Sequence, residues 1–232
     1  MTQSPSQSSL FKQIPLILRP VIDQAINETL EASAQKSSLP LGVVGRCADF
    51  AIVGARLLSK ITGHPYRSVS GGAVVDCGNN TCMIINPSRR NRRDARFLSS
   101  LRDYHCWIES VYRMADGHAR VEVVDFTLRH DAEYVHAHKK MFFNDSYPSY
   151  RWDFKDLIVP PPEDFIKGIQ GAEKSQFWTW EIADCTRLLH AYECSHEINF
   201  QVLTNNAFLR FYQSLELLHK DLSSEAQPPK DL

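Results

Sequence analysis

The chain has 232 residues, 43% of them hydrophobic and 23% charged, with 26 Lys and Arg against 27 Asp and Glu for a formal net charge of −1. That length buries an ordinary hydrophobic centre, and the near-zero charge leaves no electrostatic footprint for nucleic acid or an anionic membrane. No apolar run approaches the roughly 18 residues needed to span a bilayer, and Met1–Ser9 lacks the charged-then-apolar order of an export signal, so a cytoplasmic protein with reduced thiols is expected.

Residues 1–8 are expected to be disordered, and 9–158 to form a core with an N-terminal helix. From Leu10 to about Gln35 the apolar positions Leu18, Ile22, Ile26 and Leu30 recur every four residues, which predicts a helix interrupted early by Pro15 and Pro20. A loop follows, and then Gly45-Arg46-Cys47-Ala48-Asp49-Phe50 opens a second helix ending at Gly63. Counted from Cys47, one stripe carries Phe50, Ala51, Gly54, Leu57, Leu58 and Ile61. The cysteine lies at its N-terminal end, and Asp49 suits the dipole of the first turn.

The period then changes from helical to alternating. Tyr66–Val75 and Thr81–Asn86 predict two strands joined by a Gly-Asn-Asn turn, across which Cys77 and Cys82 are close enough in sequence to face each other. Gly71-Gly72 fits a strand bulge or a close backbone approach. The connection from Pro87 to Asp103 carries Arg89, Arg90, Arg92, Arg93 and Arg96, read as a solvated loop with arginines flanking a site. The runs Tyr104–Tyr112 and Val121–Thr127 predict a hairpin around Ala115-Asp116-Gly117. Residues 129–158 give a mixed signal, and Val159-Pro160-Pro161-Pro162 is a stiff connector. A helical extension of the same domain is expected over 159–222, with helices near 173–194 and 197–222 and with Trp178 and Trp180 packed on it. A disordered tail is expected over 223–232.

Three side chains along this path suit one chemistry. A helix N-terminus presents unpaired N–H groups that lower a thiol's pKa, and Cys47 sits at such an end. A base must then take the proton, and a third group must hold the base. Asp125 shares a strand face with Val121 and Val123, so it points inward, where a carboxylate needs a partner. If the turn is centred on Asp116, residue 107 opposes 125 and 105 opposes 127. His105 and Asp125 are then diagonal neighbours on one face, about 7–8 Å apart at the backbone. A turn centred between 116 and 117 places them on opposite faces.

Gly45-Arg46-Cys47, His105-Cys106-Trp107-Ile108-Glu109 and Asp125-Phe126-Thr127, in that order, resemble the transglutaminase-like superfamily, a branch of the papain-like cysteine enzymes. The resemblance covers residues from about 45 to 128. It implies an α+β fold with the nucleophile helix packed on an antiparallel sheet, and a Cys47 nucleophile with His105 as base then acid and Asp125 as the orienting carboxylate. Such enzymes attack an amide, form a thioester, and pass the acyl group to water or an amine. The substrate implied is a peptide, a protein or a small amide, with no cofactor. Ala48 stands where crosslinking transglutaminases have Trp, which favours hydrolysis or deamidation.

Bland readings accompany these. Arg46 binds a substrate carboxylate or runs out to solvent, and Trp107 touches substrate or packs the core; both are carried as candidate substrate-binding residues. An arylamine N-acetyltransferase-like enzyme uses the same three residue types in the same order, although only Arg46-Cys47 echoes its signature. A catalytically inactive binding module on the same scaffold is the third reading. A zinc site built from Cys47, His105, Asp125 or the nearby His136 and His138 lacks any Cys-x-x-Cys or His-Glu-x-x-His pattern, and no metal is expected.

Overall fold

The computed structural model describes residues 14–38, 42–78, 81–114, 116–139, 148–161, 163–166 and 178–225. The disorder expected over 1–8, the tip of the Gly-Asn-Asn turn and the tail beyond 225 lie outside the described residues; residues 223–225, expected in a disordered tail over 223–232, are helical.

Helix α1 (Arg19–Lys36) follows a single 3-10 turn at Leu16–Leu18. Pro20 therefore marks a beginning rather than an interruption, because a proline in the first turn loses no helical hydrogen bond. Helix α2 (Cys47–Thr62) ends at Gly63, whose φ of +68° and N–H bond to the Ser59 carbonyl (2.9 Å) close the last turn. The predicted stripe is only part of its buried surface. Ile52 and Val53 are as buried as Leu57 and Leu58, because α2 is covered on more than one side.

Six described strands form one sheet: β1 (Arg67–Gly78), β2 (Thr81–Ile85), β3 (His105–Arg113), β4 (Ala119–Asp125), β5 (Arg151–Phe154) and β6 (Thr179–Glu181). Their order is β2-β1-β3-β4-β5, with β6 added to β1, and every pair is antiparallel. The architecture is α+β. β1 divides its length, pairing with β3 over 67–71 and with β2 over 73–78. In the β3–β4 hairpin Ile108 opposes Val124 and Arg113 opposes Ala119, so the turn is centred on Asp116.

Several expectations need correction. The arginine run is not all loop: Arg89–Asp94 forms a short helix, α3, capped by Ser88, whose hydroxyl accepts from the Asn91 N–H (3.1 Å). The mixed stretch after Thr127 holds α4 (Asp131–Lys139) and β5, followed by the single turn α5 (Glu163–Ile166). Of the helix expected over 173–194, residues 173–177 lie outside the described residues, Thr179–Glu181 is drawn into the sheet, and α6 spans Ala183–Ser195. Trp180 lies across Gly72 rather than on a helix. A Cβ on Gly72 would meet its indole at 2.1 Å, and one on Gly71 would meet the Trp180 carbonyl oxygen at 2.0 Å. Cys77 and Cys82 do not pair: Cys77 packs with Val75, Met83 and Val135, and Cys82 with Val74 and Trp180.

One helical layer covers the sheet face that carries Cys106, Ile108 and Val124. α2 lies against it so closely that a Cβ on Gly54 would meet Ile108 Cδ1 at 2.5 Å. The last helix, α7 (Glu197–Glu225), lays Phe200, Leu203, Ala207 and Phe211 into the same core as Ile22, Ile26 and Leu30 of α1. Arg56 of α2 ties the joint between α6 and α7, bonding Glu193 (2.6 Å) and pairing with Glu197. On the opposite sheet face Val69, Trp107 and Val123 form a separate cluster with Val121 and Ile158, while Val135 of α4 packs against β1 and β2.

Candidate active site

Cys47 is the first residue of α2, and the chain reaches it through Gly45 at φ +79°, a left-handed conformation suited to glycine. The N–H groups of Asp49 and Phe50 bond the Arg46 carbonyl (2.9 and 3.2 Å). Those of Cys47 and Ala48 have no acceptor inside the helix, so they would be open to an anion held at the helix start.

The hairpin register brings the other two residues together. His105 opens β3 and Asp125 closes β4, on one face of the sheet. His105 Nε2 and Asp125 Oδ2 are 2.7 Å apart, both residues buried. The second oxygen, Asp125 Oδ1, accepts from the Thr127 N–H (3.0 Å) and hydroxyl (2.6 Å), so the carboxylate cannot turn away from the ring. With Nε2 engaged, Nδ1 is the imidazole nitrogen left for Cys47.

The charges follow from these contacts. Burial alone pushes the imidazole pKa down, but the Asp125 carboxylate and its hydrogen bond override that, with Cys47 adding to them, and His105 is held well above its ordinary value. Asp125 is raised by burial and lowered more by His105 and Thr127, ending below the usual carboxylate range. The Cys47 thiol is lowered to about 6, first by a hydrogen bond from the Cys106 thiol, against burial, and then by the hydrogen bond and charge of His105. Cys106 moves the opposite way. Its burial and the neighbouring sulfur raise it well above a normal thiol, so it remains a donor. The sequence held a signal for this: alternation turns residue 106 away from the His105 face and towards α2.

A cleft of about 520 Å³ opens over the sulfur. Its walls are Val43, Gly45–Cys47, Met83–Ile85, Leu101–His105 and part of the stretch from Thr127 to Tyr134. Asp131, which no sequence pattern singled out, lies in this wall; burial, with the Asp125 charge, raises its carboxyl to about 7 despite the opposing pull of His105 and Arg151. His130 beside it is lowered to about 4 by burial and by Arg129, and stays neutral.

The two candidate substrate contacts separate. Arg46 lines the cleft, its Nε held by Asp49 Oδ2 (2.6 Å), while Asp49 Oδ1 accepts from the Tyr192 hydroxyl of α6 (3.1 Å). Trp107 does not line the cleft. It is 1% exposed, packed with Val69 and Val123, and its Nε1 donates to Glu109 Oε1 (3.1 Å). Its ring lies 15° from the plane of His105 with centroids 6.3 Å apart. It supports the imidazole from inside the core and has no surface to offer a substrate.

Among the described residues, no group of three or more His, Cys, Asp or Glu side chains is placed to hold a metal ion. No helix among them is long and apolar enough to cross a membrane. Comparison with protein-family models, with curated proteins and with solved structures found no match for the chain.

Proposed function

We propose that this chain is a cysteine-dependent amide hydrolase or acyltransferase of the transglutaminase-like type, working through a thioester on Cys47. The observation that carries the reading is Cys47 at the start of α2, its thiol lowered to about 6 partly by His105, whose Nε2 lies 2.7 Å from an Asp125 carboxylate that Thr127 holds in place.

The chemistry runs on these residues alone. The Cys47 sulfur, ionised with its proton on His105, attacks the amide carbonyl carbon, and the carbonyl oxygen takes the charge beside the N–H groups of Cys47 and Ala48. His105 then gives its proton to the leaving nitrogen, the C–N bond breaks, and a thioester remains. Water or an amine enters the cleft, loses a proton to His105 and attacks the thioester carbon. The sulfur leaves as thiolate and the acid or new amide departs. Asp125 stays ionised throughout and stabilises the imidazolium.

The experiment is alkylation by iodoacetamide at pH 6.5 on the full chain, read by peptide mass spectrometry. Cys47 is expected to react ahead of the other five thiols, including the exposed Cys194. Equal labelling of Cys47 and Cys194 would remove the basis for the reading.

A further inference from the structure

The arginine-rich connection is a sequence feature that the triad leaves unused. Arg89, Arg90, Arg92 and Arg93 lie on α3 and Arg96 just beyond it, with Asp94 the single acid between 89 and 96. The Arg90 and Arg93 side chains are 88% and 76% exposed, and both turn to Asp94 (3.7 and 2.9 Å). Asp94 is thus the one acid within a run of five arginines, of which Arg92 is half-buried and Arg89, Arg90, Arg93 and Arg96 are exposed. In a chain whose net charge is −1, that is a local concentration of positive charge.

Its position matters more than its charge. Met83–Ile85 line the cleft, and the chain passes from them through Pro87 and Ser88 directly into α3. On its return it lines the cleft again from Leu101 to His105. Asn91 fastens the excursion to that return: its amide nitrogen donates to the Ser100 carbonyl (3.1 Å), and its oxygen accepts from the Arg102 N–H (2.7 Å). α3 therefore stands on the rim of the cleft. The cleft itself is lined by Arg46 and Arg102 and also by Asp103 and Asp131, so the excess of positive charge lies on α3 beside it; Arg46 Nη1 is buried without a hydrogen-bond partner.

We propose that this rim docks a carboxylate-rich polypeptide segment adjoining the amide that enters the cleft, so that the substrate is a protein or peptide with acidic residues beside its reacting side chain. The inference rests on the reading of Cys47 as the nucleophile. Guanidinium groups pair with carboxylates through two parallel hydrogen bonds. Helix α3 is about 9 Å long, the span of about three extended residues, so three or four acidic residues suffice to cover it. A nucleic acid suits the surface less well, because the basic strip is one short helix on a chain with no overall positive charge.

The test uses fluorescence anisotropy on the full chain carrying Cys47→Ala, so that binding is read without chemistry. The probes are three fluorescein-labelled molecules of similar length: a glutamine peptide flanked by four glutamates, the same peptide flanked by four lysines, and a short oligothymidine. At low salt the acidic peptide is expected to bind at least about tenfold more tightly than the lysine peptide, with the difference shrinking as salt screens it. The exposed triple variant Arg89→Glu, Arg90→Glu, Arg93→Glu is expected to lose that preference while keeping the parent's circular dichroism and melting temperature. In the protein with Cys47 intact, the acidic peptide is expected to slow alkylation of that thiol. The proposal is overturned if the two peptides bind alike, if the triple variant binds the acidic peptide unchanged, if oligothymidine binds more tightly than the acidic peptide, or if peptide binding leaves Cys47 alkylation unaltered. Failure of Cys47 to outpace Cys194 in labelling overturns the catalytic reading instead, a result the anisotropy measurement does not depend on.

Discussion

At the residue scale, the acidity of Cys47 depends on a second thiol as well as on the histidine. A free cysteine has a pKa of about 8.5, whereas Cys47 is lowered to about 6 with the Cys106 hydrogen bond as the largest cause. Its alkylation rate should therefore rise through a midpoint near pH 6. Replacing Cys106 by Ala removes that donor while leaving His105 and Asp125 in contact, so the midpoint is expected to move up by about one unit, within the range a single hydrogen bond shifts a buried group. Stopped-flow or quench alkylation between pH 4.5 and 9 measures it. A midpoint unmoved by Cys106→Ala would mean that His105 alone sets the thiol's acidity.

At the scale of elements, β6 depends on two glycines that leave room for it. A Cβ on Gly71 would lie 2.0 Å from the backbone oxygen of Trp180, which cannot yield without breaking the β1–β6 pairing. Gly71→Ala is therefore expected to cost about 1–3 kcal/mol, in the range of an overpacked interior site, measured by urea unfolding, and to raise amide exchange at Trp180 and Ile182. Gly71-Gly72 announced a close approach in the sequence, but not what approaches. A three-residue strand with a single tryptophan, close before a helix, carries no period to read, so the sequence alone points Trp180 towards helix packing. Long amphipathic elements were legible: α2 starts at the cysteine that opens its stripe, and the β3–β4 register followed from placing the turn on Asp116. Thr127 stood in the Asp125-Phe126-Thr127 motif, but Asp131 was not legible as a site residue, since nothing in its spacing marks the wall of a cleft that forms only when α4, β2 and the 101–104 segment meet.

For the molecule as a whole, one core runs from Ile22 in α1 to Phe211 in α7, so the site is built on elements that stand or fall together. Its buried ion pair ties global stability to pH. Asp125 is lowered, so its contribution is fully present above the ordinary aspartate value of about 3.9 and is lost as pH falls through the folded value. His105 is raised, so its contribution is fully present below about 6.5 and is lost as pH rises through the folded value. The two windows overlap between about pH 4 and 6.5. Asp125→Asn should accordingly be least stable relative to the parent inside that interval, with the gap narrowing towards both extremes, as followed by urea midpoints from pH 3 to 9. A deficit that is flat across this range would show that the pair is not charged in the folded protein.

The order in which the chain is made gives the covering of α2 a further meaning. Residue 47 leaves the ribosome well before the imidazole at 105 and the thiol at 106 that acidify it, and α7, which closes over the same helix, comes last. A nascent chain therefore exposes only an ordinary sulfhydryl, and the acidity of Cys47 arrives with the fold that brings those groups beside it.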